Sequence, residues 1–342
     1  MNISMLGIDI AKQVFQLHGV DKAGKAVLKK RLSRKELLPF IGLLLPCTIV
    51  MEACGSSNYW ARQFRARGHE VKLISPQYVK PFVKTNKTDA NDAEAICEAA
   101  SRPSMYFVPT RTIEQQDIQS LHRIRERLVK SRTSLANQTR GLLAEYGIII
   151  AEGIGRLRKA IPLILEDAEN ELTAEGREFL LDQYDELCEL DKKIGRYDDK
   201  LNRIFKDNQV CQALSQIRGV GPLIATAMLS ATGDASVFKN GRQMSAWLGL
   251  VPRQKSSGEK KITLGISKRG DNYLRKLLVH GTRSVVYRAK NKTDEKSCWI
   301  NNLVLRRGTN KACVALANKN VRIICAVMKN GWEYKVNNNL GN

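Results

Sequence analysis

Two acids set into apolar segments near the start of the chain restrict its fold more than any other feature. Met5–Lys12 (MLGIDIAK) reads as a short buried strand interrupted by Asp9, and Thr48–Met51 reads as another that ends at Glu52. A carboxylate in or at the end of an apolar strand is costly unless something pairs with it, so Asp9 and Glu52 each require a partner. Val14–His18 and Ala26–Leu32 are two further strands, joined by the turn residues Asp21-Lys22-Ala23-Gly24. Ser33 followed by Glu36 makes a capping box for a helix running through Leu45. A helix from Ser57 to Arg67 and a strand from Glu70 to Ile74 complete an alternating α/β pattern.

The next informative stretch is Lys84-Thr85-Asn86-Lys87-Thr88-Asp89-Ala90-Asn91-Asp92-Ala93. It begins a helix that Thr88 or Asp89 can cap and that Ala93, Ala95, Ala99 and Ala100 propagate, placing Asp89 and Asp92 on one face. Alone, two acids in a first turn complement the helix dipole. Together with Asp9 and Glu52 they suggest one cluster. Carboxylates set among Lys84 and Lys87 suit a polyanionic phosphodiester and a divalent cation, since the acids hold the metal and the bases hold the backbone.

The charge balance agrees. The 342 residues carry a formal net charge of +22, which points to a nucleic acid or an anionic membrane surface as partner. No apolar run approaches the ~20 residues that span a bilayer, so no membrane partner is expected. The first residues lack the order of a signal peptide, so the sequence predicts a cytoplasmic protein. Eight scattered cysteines include no Cys-x-x-Cys pair, which supports neither a zinc module nor a disulfide framework.

From Thr112 to Tyr146 the pattern is helical, with Leu121, Leu128, Leu135 and Leu142 seven residues apart; Leu180, Leu187, Ile194 and Leu201 form a second seam. The first helix carries Arg123, Arg125, Arg127, Lys130, Arg132 and Arg140, whereas residues 163–190 hold ten acids and only Arg177. An antiparallel pairing within the chain and dimerisation through these helices both fit, because Arg125, Arg132 and Asp191 at intermediate seam positions are too polar to decide.

Arg218-Gly219-Val220-Gly221-Pro222 resembles the turn of a helix-hairpin-helix, with Pro222 at the first helical position and backbone amides offered to a phosphate. Residues 239–342 contain 22 Lys or Arg against five Asp or Glu, a density that reads as a nucleic-acid face. Candidate contacts there are Arg253, Lys255, Lys260, Lys261, Lys268, Arg269 and Arg275, in addition to Arg218, Gly219 and Gly221. Two extended pieces flank Ser256-Ser257-Gly258; by its chemistry alone Ser257 is a turn serine, with no His or Lys at a diagnostic spacing to serve as its base.

The segments Gly7-Ile8-Asp9-Ile10-Ala11-Lys12, Met51-Glu52-Ala53-Cys54-Gly55 and Asn86-Lys87-Thr88-Asp89-Ala90-Asn91-Asp92-Ala93, in this order, resemble the acidic motifs of the DEDD insertion-sequence transposases related to the Piv DNA invertase. The resemblance extends over roughly residues 5–330. It implies a RuvC-like, RNase H-type α/β domain (1–108), a helical coiled-coil region (109–208) and a mainly helical C-terminal transposase domain (209–342). It implies that Asp9, Glu52, Asp89 and Asp92 bind Mg²⁺ (or Mn²⁺) and that Ser257 is the nucleophile on DNA, with Ser256 the alternative if the turn is aligned one residue off. A structured bridge or seeker RNA selecting the DNA partners, and a homo-oligomer (dimer or tetramer) with sites composed between protomers, belong to the same implication. Two other readings are a RuvC-type junction nuclease with no covalent intermediate and a non-catalytic nucleic-acid-binding scaffold; four costly acids kept together argue against the scaffold.

Overall fold

The computed structural model describes residues 2–83, 89–257 and 260–330, with the side chains of 89–90, 256–257 and 260–261 outside that description. The chain is mixed α/β at its N-terminal end and mostly helical towards its C-terminus. It divides into two compact units: residues 1–116 with 230–243, and residues 117–229 with 244–342. The helical middle and the C-terminal third therefore share one unit, while a short later segment returns to the first.

The first unit is built on a sheet of β1 (Met5–Ile10), β2 (Val14–Val20), β3 (Ala26–Ser33), β4 (Thr48–Glu52), β5 (Glu70–Ile74) and β6 (Phe107–Val108) in the order β3-β2-β1-β4-β5-β6. β1, β4 and β5 run parallel, and β2, β3 and β6 pair antiparallel to their neighbours. Alternation of side chains along each strand sorts the two faces. Leu6, Ile8, Ile49, Met51 and Leu73 face a core shared with Leu37 and Ile41 of α1 (Arg34–Gly42) and Trp60, Ala61 and Phe64 of α2 (Ser57–Arg65). Met5, Val50 and Ile74 face the other way. They pack with Val79 of α3 (Pro76–Val79) and with Ala95, Ile96 and Ala99 of α4 (Asp89–Ala100).

The capping box at Ser33 forms, with its amide donating to Glu36 Oε2 at 2.8 Å. The helix behind it stops at Gly42 rather than Leu45: the Leu43 amide turns back to the Phe40 carbonyl, tightening the last turn, and Leu43 and Leu45 are exposed.

In the second unit α5 (Ile113–Ala144), which starts just before the division at residue 117, α6 (Ile154–Glu166) and α7 (Ala174–Asp207) share a core of Leu128, Leu135, Leu143, Leu157, Ile161, Leu180, Leu187 and Ile194. The polar seam positions decide the pairing. Arg132 donates to Asp191 at 2.6 Å and Arg125 pairs with Asp198, so moving seven residues back along α5 moves seven residues forward along α7. The two helices run antiparallel within one chain, and Leu128, Leu135, Leu180, Leu187 and Ile194 of the two seams pack in their shared core. On α5 the buried stripe drifts to Leu143, leaving Leu142 exposed, because a straight helix does not keep a strict seven-residue repeat.

The rest of this unit is α8 (Gln209–Ser215), most of α9 (Pro222–Thr232), α10 (Gly241–Trp247), whose first turn lies before the division, a two-stranded hairpin of β7 (Pro252–Ser257) and β8 (Lys260–Ile266), and α11 (Asn272–Arg288), α12 (Glu295–Arg307) and α13 (Thr309–Asn330). Among the described residues no helix is long and apolar enough to cross a membrane.

Candidate active site and nucleic-acid interface

Strand parity brings the first two acids together. Ile8 of β1 lies in register with Met51 of the parallel β4, so Asp9 and Glu52 occupy the next positions on adjacent strands. Asp9 alternates with Gly7 and Glu52 with Val50, and Gly7 and Val50 both meet α4, so the two carboxylates leave the sheet on the face that this helix covers. Both are half-buried, and both act on the same neighbour: partial burial, and after it the Glu52 and Asp9 carboxylates, push the Cys54 thiol above its usual range.

α4 crosses β1 at the next position on that face: a Cβ on Gly7 would lie 2.5 Å from the Ala93 carbonyl oxygen and 3.2 Å from the Cys97 amide nitrogen. Asp92, in the first turn of this helix, is half-buried. Among the described residues no three His, Cys, Asp or Glu side chains gather as a group able to hold an ion. Asp92 therefore does not complete a trio with Asp9 and Glu52, and the quartet depends on Asp89, whose side chain lies outside the described residues, as do Lys84 and Lys87.

The basic candidates of the second unit separate into three kinds. Arg253 and Lys255 on β7, and Lys268 and Arg269 in the loop after β8, are exposed cations. Arg218 is half-exposed and donates to Asp294 Oδ1 at 2.8 Å. Arg275 is a correction: it is only 9% exposed, and its guanidinium donates to the carbonyls of Leu248 at 3.0 Å and Arg269 at 2.9 Å and to Asn272 Oδ1 at 3.1 Å. It ties together the two ends of the hairpin segment instead of facing a nucleic acid. Next to it, a Cβ on Gly249 would fall 2.1 Å from the Arg269 carbonyl oxygen, and Ser267 N donates to Val251 O at 2.8 Å, closing the base of the hairpin. Ser257 is the last residue of β7, in register with Lys260, and Ser256 is in register with Lys261; these four side chains lie outside the described residues.

The glycine turn after α8 packs against α11. Gly219 has φ +91°, and a Cβ there would meet Gly281 O of α11 at 3.0 Å; a Cβ on Gly281 would meet Gly219 O at 2.1 Å. Its freedom serves close packing of two protein segments. Gly221 has open space around it, and its carbonyl accepts from the Ile224 and Ala225 amides as α9 begins.

Two features had no sequence signal. His122 is buried between Tyr273 Oη at 2.9 Å and Thr226 Oγ1 at 3.0 Å. Burial, followed by the charges of Arg125 and Arg123, pushes its pKa down to about 4. In the first unit, the returning segment and β6 line a cleft of about 870 Å³ with Arg65, Lys72, Tyr106, Phe107 and Lys239 around it. Neither a lone buried histidine nor a distant return of the chain leaves a periodic trace in the sequence.

Residues 211–297 match the Transposase IS116/IS110/IS902 family, and residues 6–148 match the DEDD transposases of IS110 elements. The chain is 50% identical over 334 residues to the transposase of insertion sequence IS1111A from Coxiella burnetii, covering 98% of this chain and 92% of that protein. The chain belongs to the IS110/IS116 family of DEDD transposases. A probable family 20 transposase of Pseudomonas aeruginosa is 47% identical, covering 98% of this chain and 99% of that protein. The transposase of IS1328 from Yersinia enterocolitica is 39% identical over 96% and 98%. As an insertion-sequence transposase this chain acts on DNA. The match over residues 6–148 contains all four acids, and that over residues 211–297 contains Arg218, the β7–β8 hairpin and the Arg275 clamp.

Proposed function

We propose that this transposase cuts and rejoins DNA with Asp9, Glu52, Asp89 and Asp92 as a metal-binding cluster on an RNase H-like domain and with Ser257 as nucleophile. It works as a homo-oligomer, and a structured non-coding RNA selects its DNA partners. The observation that carries this reading is the placement of Asp9 and Glu52 at adjacent strand positions on the sheet face crossed by α4.

The donor set fits Mg²⁺ or Mn²⁺, because every candidate ligand is a carboxylate oxygen and hard cations prefer such donors. Bound there, the ion would neutralise charge on the scissile phosphate. The protein's residues supply the rest. The hairpin, closed at its base by Arg275 and Gly249, holds Ser257 at the end of a short strand. The serine oxygen forms a bond to phosphorus and loses its proton, the bridging oxygen of the scissile bond leaves and gains one, and the DNA strand remains attached as a phosphoserine ester. Attack on that ester by a hydroxyl of a second DNA end reverses the exchange, releases the serine and joins the strands without ATP. The basic C-terminal third holds nucleic-acid backbone during both steps.

The test is Mn²⁺ binding followed by the electron paramagnetic resonance signal of the free ion, together with DNA cleavage, for wild type, Asp9→Asn and Glu52→Gln. Both variants should lose ion binding and cleavage while retaining DNA. Cleavage at the wild-type rate by Glu52→Gln, or in excess chelator, would remove the metal cluster from the account.

A further inference from the structure

The second unit holds a concavity that the acid cluster and the serine hairpin do not use. It is a cavity of about 250 Å³ where the turn after α8 meets the end of α11 and the start of α12, with Arg218, Gly219, Ser284, Arg288, Lys292 and Ser297 in its wall. Three cations from two parts of the chain, Arg218 after α8 and Arg288 and Lys292 at and just beyond the end of α11, line one small space. Their counter-charges are few. Asp294 accepts from Arg218 at 2.8 Å, and the same carboxylate caps α12 by accepting from the Ser297 amide at 3.2 Å and the Ser297 hydroxyl at 2.7 Å. Arg288 and Lys292 make no ion pair among the described residues. Ser284 donates its hydroxyl to Gly281 O at 3.0 Å, which fixes its oxygen beside the cavity.

The neighbourhood is electrostatically over-filled. Lys296, on the first turn of α12, has its ammonium pKa lowered, first by burial and then by the charges of Arg218 and Lys319, although Asp294 opposes the shift. Like charges this close are tolerated in a folded unit, but they leave the site short of an anion. Val285 and Ala289 make the apolar part of the wall, and Arg218, Arg288, Lys292, Ser284 and Ser297 carry guanidinium, ammonium and hydroxyl donors suited to phosphate oxygens. The turn glycine contributes by making room: Gly219 brings the Arg218 backbone against α11, and Asn320 holds the Arg218 carbonyl at 3.0 Å.

We infer that this cavity is a phosphodiester-binding subsite that takes one backbone phosphate of a nucleic acid, with Arg288 and Lys292 as its principal contacts and Arg218 shared between that phosphate and Asp294. This rests on the reading above that the C-terminal third holds nucleic acid. It moves the contact from the glycine amides, which the sequence suggested, to side chains of α11 and of the segment before α12. The phosphate belongs to either the DNA substrate or a guide RNA, since the chemistry recognised is the same.

The experiment uses the full chain and the double variant R288Q/K292Q, with R203Q/K206Q at the end of α7 as a charge-matched control. Binding of a labelled duplex DNA and of a labelled structured RNA is measured across a salt series. Loss of one phosphate contact reduces the slope of log affinity against log salt by about 0.9 for duplex DNA and about 0.7 for single strands. R288Q/K292Q should show that reduction on one of the two nucleic acids, whatever its sequence, and the nucleic acid affected identifies the source of the phosphate. S284E, which places a carboxylate at the wall, should weaken the same nucleic acid and raise the melting temperature of the free protein. An unchanged slope in R288Q/K292Q, or an equal reduction in R203Q/K206Q, would overturn the subsite. So would competition by inorganic phosphate with no effect of R288Q/K292Q on either nucleic acid. Failure of the wild-type protein to bind either would instead overturn the reading on which the subsite rests.

Discussion

Gly7 lies directly beneath the Ala93 carbonyl oxygen, with 2.5 Å between that oxygen and the position a Cβ would take. The contact sets how closely α4 approaches β1, the strand that carries Asp9. Gly7→Ala should force the helix outward, since the obstructing atom is backbone and the Cys97 sulfur is next at 2.8 Å. Overpacking of this kind costs about 1–3 kcal/mol. Urea unfolding should show that loss, and DNA cleavage should fall by more than the unfolded fraction explains.

Arg275 should behave as a positioning residue for the hairpin. Arg275→Met removes a buried cation and leaves the Leu248 and Arg269 carbonyls without their donor, a change of about 2–4 kcal/mol. Melting temperature and strand cleavage should both fall. The salt slope of DNA binding should not change, because this guanidinium is spent on the protein; a slope reduced to the extent seen on removing an exposed cation would return Arg275 to the nucleic-acid face.

Much of the first unit was legible because its signals are local. The acid in MLGIDI, the alternation of strand and helix, and the Ser33–Glu36 box each depend on residues within one element, and the sheet contains them at nearly the expected bounds. What required the structure depends on contacts distant in sequence. Parity shows that Asp9 and Glu52 share a face, but the register of two strands about forty residues apart is not written in either strand. The salt links Arg132–Asp191 and Arg125–Asp198 settle an orientation that polar seam residues alone left open. Arg275 looked like its basic neighbours until its three acceptors were known, and the packing of Gly281 against Gly219 is not written in the glycine turn itself.

His122 gives the unit a pH limit. Its pKa is about 4 in the folded chain, against about 6.5 when unfolded. The unfolded chain therefore binds the extra proton as pH falls below 6.5, so this contribution is complete above that pH and is lost progressively towards pH 4. The loss is about 2 kcal/mol at pH 5. Urea midpoints measured from pH 7.5 to 4.5 should decline more steeply for wild type than for His122→Gln; parallel declines would contradict the assignment.

Removal of co-purifying RNA by nuclease should abolish sequence-selective recombination while leaving affinity for DNA in general, because that affinity comes from basic surface and phosphate contacts. Selectivity unchanged in RNA-free protein would show that the protein reads base edges directly.

The most direct measurement concerns the proposed linkage of a DNA strand to Ser257. Wild-type protein, Ser257→Ala and Ser256→Ala are incubated with end-labelled DNA and Mg²⁺, quenched, and run on a denaturing gel with and without protease. A protease-sensitive covalent adduct should appear with wild type and Ser256→Ala and be absent from Ser257→Ala, whose DNA binding is retained. Free cleaved ends with no adduct in any of the three proteins, or cleavage by Ser257→Ala at the wild-type rate, would contradict the serine mechanism and leave a water-driven nuclease in its place.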